Sequence, residues 1–357
     1  MNLLARILVI NPGSTSTKIA LYEEEKEITK EEINHDAETL KKYKNVIEQF
    51  YLRLNAIKNW LDRNGINLKD VSAIVVRGGL IKPVQSGTYI VNDIMVEDLK
   101  KGIGGEHPSN LGGLLGRALG DKYGIPVYTL DPVAVDEMEN VARISGLPEL
   151  PRKSQSHALN IKACIHRYAK ENNLKEEELN LIVVHMGGGI SVAAIKNGKI
   201  VDVNNANQMG PFSPERTGSL PSMKVVDLCY SGKYTFDEMK KKIVGMGGLV
   251  AHLGTNDARE VEKRIQSGDK KAKLVFEAMV YQIAKEIGRM AAALNGDVRT
   301  IILTGGLAYS KRLIEIIIDM TSFIAPITLY PGGDEMEALR DGALRVLRNI
   351  ETPKIYS

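Results

Sequence analysis

An α/β protein of two domains is the fold predicted by three observations. The chain has 357 residues, β-branched apolar runs alternate with stripes of helical period, and a strand, glycine turn, strand unit occurs near residue 10 and again near 185. At roughly 100 to 200 residues per domain the expected division is residues 1–150 and 151–334, with residues 335–357 packing back on the first domain. Each domain should hold a mixed sheet flanked by helices, and two such similar lobes are expected to face one another across a cleft.

The elements follow in order. Leu3 to Ile10 runs straight into Asn11-Pro12-Gly13, a strand entering a turn rather than a leader peptide, and Lys18 to Tyr22 returns as a second strand. Over 36–64, Leu40, Tyr43, Ile47, Phe50, Leu54, Ile57 and Leu61 recur at steps of three and four, which predicts one long helix stopped by Gly65. Ala73 to Val76 and Val127 to Leu130 read as buried strands around a helix at Leu111 to Tyr123. A helix over 156–172 precedes the second unit: strand Leu179 to His185, turn Gly187-Gly188-Gly189, strand Ser191 to Ile195, and the Asn197-Gly198 hairpin to Lys199–Val203. A long helix from about Asp269 to Asn295, a strand at Thr300 to Leu303, a helix near Ser310 to Thr321, a strand at Ile327 to Tyr330 and a helix from about Glu335 to Arg348 complete the chain.

Composition narrows the function. Hydrophobic content of 43% and charged content of 25% are those of an ordinary globular protein, and a net charge of +3 is too small and scattered for a nucleic-acid surface. An anionic metabolite suits that balance better. No uncharged apolar run reaches the roughly 18 to 20 residues of a membrane span. Cys164 and Cys229 lack metal-site or Cys-x-x-Cys spacing and read as buried thiols of a cytosolic protein.

Three glycine-containing loops carry the chemistry. Asn11-Pro12-Gly13-Ser14-Thr15-Ser16-Thr17-Lys18 gathers amides, hydroxyls and one cation; alone it serves either as a phosphate wrap or as a polar hairpin turn, and its spacing is not that of a Walker A loop. His185-Met186-Gly187-Gly188-Gly189-Ile190-Ser191 lets backbone approach a ligand closely after an apolar strand, where His185 alone would also read as a core histidine. Leu303-Thr304-Gly305-Gly306-Leu307 lies at a strand's carboxyl end before a helix, where nucleotides bind in open α/β sheets.

Taken in this order, and with Pro214-Glu215-Arg216-Thr217-Gly218-Ser219-Leu220-Pro221, these stretches resemble the acetate and butyrate kinase family of the actin, Hsp70 and sugar kinase superfold. The resemblance covers essentially the whole chain. Asn-Pro-Gly-Ser-Thr-Ser-Thr-Lys and Val75-Val76-Arg77-Gly78-Gly79-Leu80 are closer to the butyrate-using than to the acetate-using members. It implies two actin-like (ribonuclease H-like) domains, ATP and Mg2+ as cofactors, reversible phosphorylation of a short aliphatic carboxylate, and a homodimer or higher homo-oligomer.

The resemblance also implies roles. Asn11 and Glu335 would hold Mg2+, and Ser14, Ser16 and Lys18 would meet the ATP phosphates. Asp131 matches an active-site aspartate, His185 a donor to the transferring phosphoryl group, and Arg216 a transition-state arginine. Gly187, Gly188 and Gly189 form the second phosphate loop, Asp257 and Arg259 match nucleotide contacts, and Gly305 and Gly306 would lie along the adenosine. The chain departs from the acetate kinase pattern where a substrate arginine and a histidine three residues later are replaced by Ile74 and Arg77. Arg77 is the candidate to supply that charge from a shifted position. In Lys153-Ser154-Gln155-Ser156-His157 the last histidine alone survives, and His107 matches a further family histidine; His157 and His107 are the remaining substrate-side candidates.

Singly, most of these residues have a plainer reading. Arg77 could form a surface ion pair, Asp131 a turn before Pro132, His157 a helix start, and Glu335 a partner of a helix dipole. Carboxylate phosphorylation needs no general base, only cations to offset anion repulsion, and Arg77 and Arg216 fit that requirement. A sugar kinase would instead need a carboxylate base, for which Asp131 is available, and an actin-like or Hsp70-like ATPase would need no acceptor.

Overall fold

Ile7, Leu8, Val9 and Ile10, all without exposure, form the centre of β1 (Arg6–Pro12) in a computed structural model that describes residues 4–333 and 335–357. Leu3, at the head of the predicted first strand, and Asp334, in Gly333-Asp334-Glu335, lie outside the described residues. The chain divides into two compact units, Met1–Val135 with Asp334–Ser357, and Asp136–Gly333.

In the first unit β1 turns back into β2 (Ser16–Glu23), and β2 pairs antiparallel with β3 (Lys26–Asn34). β4 (Ala73–Arg77) runs parallel to β1, β5 is Thr88–Ile90, and β6 (Val127–Leu130) lies parallel to β4. The sheet order is β12-β5-β6-β4-β1-β2-β3, with β12 (Lys354–Ile355) at one edge. The second unit repeats the plan. β7 (Leu181–Met186), β8 (Ile190–Lys196) and β9 (Lys199–Val203) form an antiparallel meander, to which β10 (Thr300–Gly305) and β11 (Ile327–Pro331) add in parallel, in the order β11-β10-β7-β8-β9. The meander followed by two parallel strands is thus common to both sheets, the repeat anticipated from the two glycine turns.

Each unit has its own apolar core. In the first, Leu54, Ile57, Trp60 and Leu61 of the Phe50–Arg63 helix pack with Leu111, Leu115 and Leu119 of the Asn110–Gly120 helix. In the second, Phe276, Met279, Val280, Ile283, Ile287 and Met290 lie at helical spacing on the Lys270–Ala293 helix and are buried with the sheet. Each such side chain contributes roughly 1.5 to 3 kcal/mol relative to exposure.

Three expectations are corrected. The helix predicted over 36–64 is two pieces, Ala37–Leu40 and Phe50–Arg63. Between them Asn45 Oδ1 accepts the Glu48 N–H at 3.1 Å while Glu48 Oε2 accepts the Lys44 N–H at 2.8 Å, bonds that turn the chain, and a 3-10 turn at Ile47–Gln49 then leads into the second piece. Residues 136–150 belong to the second unit: the Glu139 N–H meets the Val201 carbonyl, and Lys162 of the Ala158–Glu171 helix pairs with Glu137 at 2.7 Å. The last helix, Glu335–Leu347, has its expected span to within one residue, and the chain after it extends into β12. Cys164 is buried, but Cys229 is exposed because the Ser222–Cys229 helix carries no buried residue.

β3 had no apolar signal of its own. It is an edge strand rich in Lys and Glu, held by backbone pairing to β2. Among the described residues, no helix is long and apolar enough to cross a membrane.

Candidate functional site

In the first unit the parallel strands β1, β4 and β6 end side by side. Ile10 pairs with Val76 and Arg77 with Leu130, so Asn11, Arg77 and Asp131 emerge at adjacent carboxyl ends of the sheet. Glu335, the first residue of the last helix, joins them: its Oε2 accepts from Asn11 Nδ2 at 2.8 Å and pairs with Arg77 Nη1 at 2.5 Å. The glycines after Arg77 allow the close fit. A methyl on Gly78 would lie 2.5 Å from Pro132 Cβ, and one on Gly79 2.7 Å from Asn110 Cα.

Asp131 is 3% exposed and sits at φ 38°, a backbone region disfavoured for a residue with a side chain. Its Oδ1 holds it there by accepting from Ser86 Oγ at 2.6 Å and from the Gly87 N–H at 2.7 Å. His107 stands in the loop before the Asn110–Gly120 helix, with Nδ1 at 2.7 Å from Ser109 Oγ.

The Asn11–Lys18 stretch closes as a tight hairpin, with the Gly13 N–H on the Ser16 carbonyl at 2.8 Å and Asn11 opposite Lys18. Ser14 and Lys18 are exposed, whereas Ser16 is buried and donates its hydroxyl to Glu32 Oε1 at 2.7 Å. Beneath the hairpin, Thr17 Oγ1 lies 2.9 Å from His35 Nε2 and 3.1 Å from Arg53 Nη1. Burial, and then the Arg53 charge, push His35 down from 6.5 to about 4.

That shift sets a pH dependence. The unfolded chain takes up the His35 proton near pH 6.5 while the folded chain resists until about 4. Stability is therefore full above pH 6.5 and declines as pH falls to about 4, by on the order of 3 kcal/mol. Urea unfolding of wild type at pH 7 and pH 4.5 should show the loss, and His35→Gln should remove most of the difference. An unchanged slope in the variant would assign the acid sensitivity to other groups.

In the second unit His157 and His185 stack, with ring centroids 4.0 Å apart and planes 14° from parallel. Each ring is held at Nδ1, His157 by Ser191 Oγ at 2.9 Å and His185 by Asn160 Oδ1 at 2.7 Å. Ser191 follows from the β-pairing, which places it opposite His185. Asn160 escaped the sequence reading, although its place three residues after His157 at the start of a helix puts both side chains on neighbouring positions.

Arg216 is brought onto the triple-glycine turn. A methyl on Gly189 would lie 2.2 Å from Arg216 Nη1, and one on Gly188 3.3 Å from Glu215 Oε2. Ser213 braces this arrangement, its hydroxyl donating to the Gly188 carbonyl at 2.5 Å and accepting from the Arg216 N–H at 3.2 Å. From the other side the Glu215 carbonyl takes N–H groups of Gly245 and Gly247. Burial lowers the Arg216 pKa and Glu215 opposes that shift, but a guanidinium stays charged at neutral pH.

The remaining nucleotide-side candidates form two separate groups in this unit. Gly305 ends β10 at φ +88° with its α-carbon against Met186 backbone, and it bridges Gly332 in both directions; Gly306 follows it. Asp257 caps the Ala258–Gln266 helix and pairs with exposed Arg259 at 2.8 Å, which holds Asp257 down at about 2.

Magnesium ions bind through one or two protein oxygens, completed by phosphate and water. Glu335 offers a carboxylate oxygen, and Asn11, which meets it through Nδ2, carries an amide oxygen; both are donor types such a shell accepts. Among the described residues no cluster of three or more His, Cys, Asp or Glu could hold a metal by itself.

Two repeated meander-and-parallel sheets, with polar groups at strand ends and a glycine turn backed by an arginine, define a phosphotransferase-type scaffold, and solved structures carry the same fold. Porphyromonas gingivalis acetate kinase superposes with a TM-score of 0.80 at 20% identity, covering 96% of this chain and 100% of that one. A propionate kinase from Francisella tularensis gives 0.73 at 20%, covering 95% and 99%. The Acetokinase family model matches residues 150–323. The chain is 85% identical over 351 residues to a probable butyrate kinase 2 of Caldanaerobacter subterraneus subsp. tengcongensis, spanning 98% of this chain and 99% of that protein. It is 55% identical to butyrate kinase 2 of Clostridium acetobutylicum, again over 98% and 99%. The chain belongs to the acetokinase family.

Proposed function

We propose that the protein transfers the γ-phosphoryl group of ATP reversibly to butyrate, giving butanoyl phosphate and ADP, with propionate and branched short-chain acids as poorer acceptors. Full-length likeness to relatives named butyrate kinases carries this reading. The cationic groups described above support it.

A carboxylate is already a nucleophile, so the obstacle is the approach of two anions, worth about 5 kcal/mol per pair of unit charges at ~3.5 Å and an effective dielectric near ~20. Arg77 would meet the carboxylate and Arg216 the transferring phosphoryl oxygens, each with a planar fork suited to oxyanions. His185 would donate to the same phosphoryl group, its ring fixed by Asn160. The hairpin residues Ser14 and Lys18, the Gly187–Gly189 turn and Gly305-Gly306 would take the nucleotide. Asp257 and Arg259 would join them on exchanging their mutual pair for the ligand. Ser16 enters this reading only if its hydroxyl leaves Glu32.

Asp131, held by Ser86 and Gly87, would orient groups at the strand ends, and His107 and His157 would border the acyl group. Glu335 and Asn11 would hold Mg2+, which when bound neutralises phosphate charge. Without it the Glu335 carboxylate keeps Arg77 and Asn11 in place.

A homodimer or larger assembly in the cytosol completes the reading. Met223, Val226, Tyr230 and Phe236 are exposed within one short stretch, apolar surface of the kind that partners cover.

A panel of carboxylates from two to five carbons, with isobutyrate and glucose added, tests the assignment by kcat/KM and by trapping acyl phosphate as hydroxamate. Butyrate should rank first, with neighbouring acids within about 10- to 200-fold, since one methylene is worth about 1 to 3 kcal/mol. Phosphorylated glucose with no hydroxamate from any acid would replace this reading with a sugar kinase.

A further inference from the structure

Arg53 is fully buried in the Phe50–Arg63 helix, yet every acceptor it meets is neutral. Nη1 donates to the Ser16 carbonyl at 2.9 Å and to Thr17 Oγ1 at 3.1 Å. Nη2 donates to the Ser14 carbonyl at 3.3 Å and to Gln49 Oε1 at 2.9 Å, and Nε donates to the same Gln49 oxygen at 3.2 Å. Among the described residues no carboxylate pairs with it, and its pKa falls to about 10 from burial alone. A buried cation without a counter-ion is costly to keep. An unbranched apolar residue such as methionine would fill most of the same space at less cost, so the charge has a use beyond packing.

Its position suggests that use. The guanidinium fork holds two carbonyls of the same tight turn, and a peptide unit is planar and trans. With the Ser14 carbonyl drawn inward, the Thr15 N–H must point the opposite way, toward the exposed side of the hairpin where Ser14 and Lys18 also lie. The Thr15 carbonyl is anchored separately by the His35 N–H at 2.8 Å, so the turn is fixed at three successive residues.

We propose that Arg53 is a positioning residue for phosphate binding: it sets the Ser14–Lys18 hairpin to present amide and ammonium donors, and its unneutralised charge attracts the anion from behind. The inference rests on the reading that this hairpin meets the ATP phosphates. Arg53 itself touches no substrate. An anion bound at the hairpin supplies the negative charge that Arg53 lacks in the protein alone, so nucleotide binding and the order of the hairpin favour one another.

Steady-state kinetics of the whole enzyme with ATP varied and then butyrate varied test this. Arg53→Met should raise KM for ATP at least tenfold, leave KM for butyrate within about twofold and change kcat by less than about threefold. Arg53→Lys, which keeps the charge but cannot grip both carbonyls, should recover part of the ATP affinity and not all of it. Unchanged KM for ATP in a folded Arg53→Met enzyme overturns the proposal. So does a parallel loss in both KM values and kcat, the pattern of general loosening. Should Arg53→Met not fold, Gln49→Leu releases two of the fork's bonds at a half-buried site and should raise KM for ATP two- to fivefold; no change there overturns the proposal equally. Lys18→Ala separates this inference from its premise. If Lys18→Ala leaves KM for ATP unchanged, the hairpin does not bind phosphate and both ideas fail. If it raises that KM while Arg53→Met does not, the role of Arg53 alone is refuted.

Discussion

Arg216→Ala is expected to lower the turnover number about a thousandfold while nucleotide affinity stays within a few-fold of wild type. An arginine that meets phosphoryl charge only as it spreads in the transition state lowers the barrier and leaves ground-state binding almost untouched; such residues supply about 10³- to 10⁵-fold in phosphoryl transfer. The structural setting suits that role. Arg216 is half-buried, lies over the Gly187–Gly189 turn and has Glu215 as a neighbour, with its main chain pinned by Ser213. Truncation removes the guanidinium without touching the bonds that hold the loop, because those use the backbone and Ser213. Turnover by coupled ADP release and nucleotide affinity by equilibrium titration check the split. A turnover number within about threefold of wild type would remove Arg216 from the reaction.

Gly189→Ala is expected to cost about a hundredfold in turnover with little loss of stability. The added methyl would sit 2.2 Å from Arg216 Nη1, 2.6 Å from Cζ and 3.1 Å from Nε, so the guanidinium must leave its seat. What it meets is the far end of a flexible side chain, which can swing away, so the fold survives. The glycine at 305 makes the contrast: a methyl there would lie 2.3 Å from the Met186 carbonyl oxygen at a positive φ, and the backbone could not yield. Because the Gly189 effect runs through Arg216, the double variant Arg216→Ala/Gly189→Ala should be no slower than Arg216→Ala alone. Additive losses would mean that Gly189 acts through its own contact with the nucleotide. A thermal midpoint within a few degrees of wild type is part of the expectation.

Much of the fold is legible because buried strands and glycine turns are local features. Ile7–Ile10, Leu181–Val184 and Ile301–Leu303 are continuous apolar runs, and each sits unexposed on an interior strand of its sheet. The glycine loops stand out for the same reason, since close backbone approach removes side chains and leaves a mark in the sequence. The apolar stripe over 36–64 misled because its period continues across the turn at Lys44–Glu48, where side-chain bonds to backbone outcompete helix propagation. β3 was invisible because an edge strand is held by its neighbour's main chain, which any sequence can provide.

The candidate site divides in the same way. Arg216, His185 and the glycines were readable from their motifs, whereas Asn160, Ser213 and Arg53 were not. Their partners are far along the chain, 25 residues for Asn160 with His185 and 37 for Arg53 with the Ser16 carbonyl. Arg53 left one trace, a cation three residues after Phe50 and four before Ile57, hence on the buried side of a helix.

By itself, then, the order of residues determined which buried apolar segments become strands, where the backbone is bare enough to approach an anion, and which cations are candidates to meet one. Tertiary structure decided which donors are committed to one another: Glu335 to Asn11 and Arg77, Ser16 to Glu32, Arg53 to the floor of the hairpin. The reason is that strand formation and glycine freedom depend on neighbours in sequence, whereas a hydrogen bond or ion pair depends on distances that exist only once the sheets have formed.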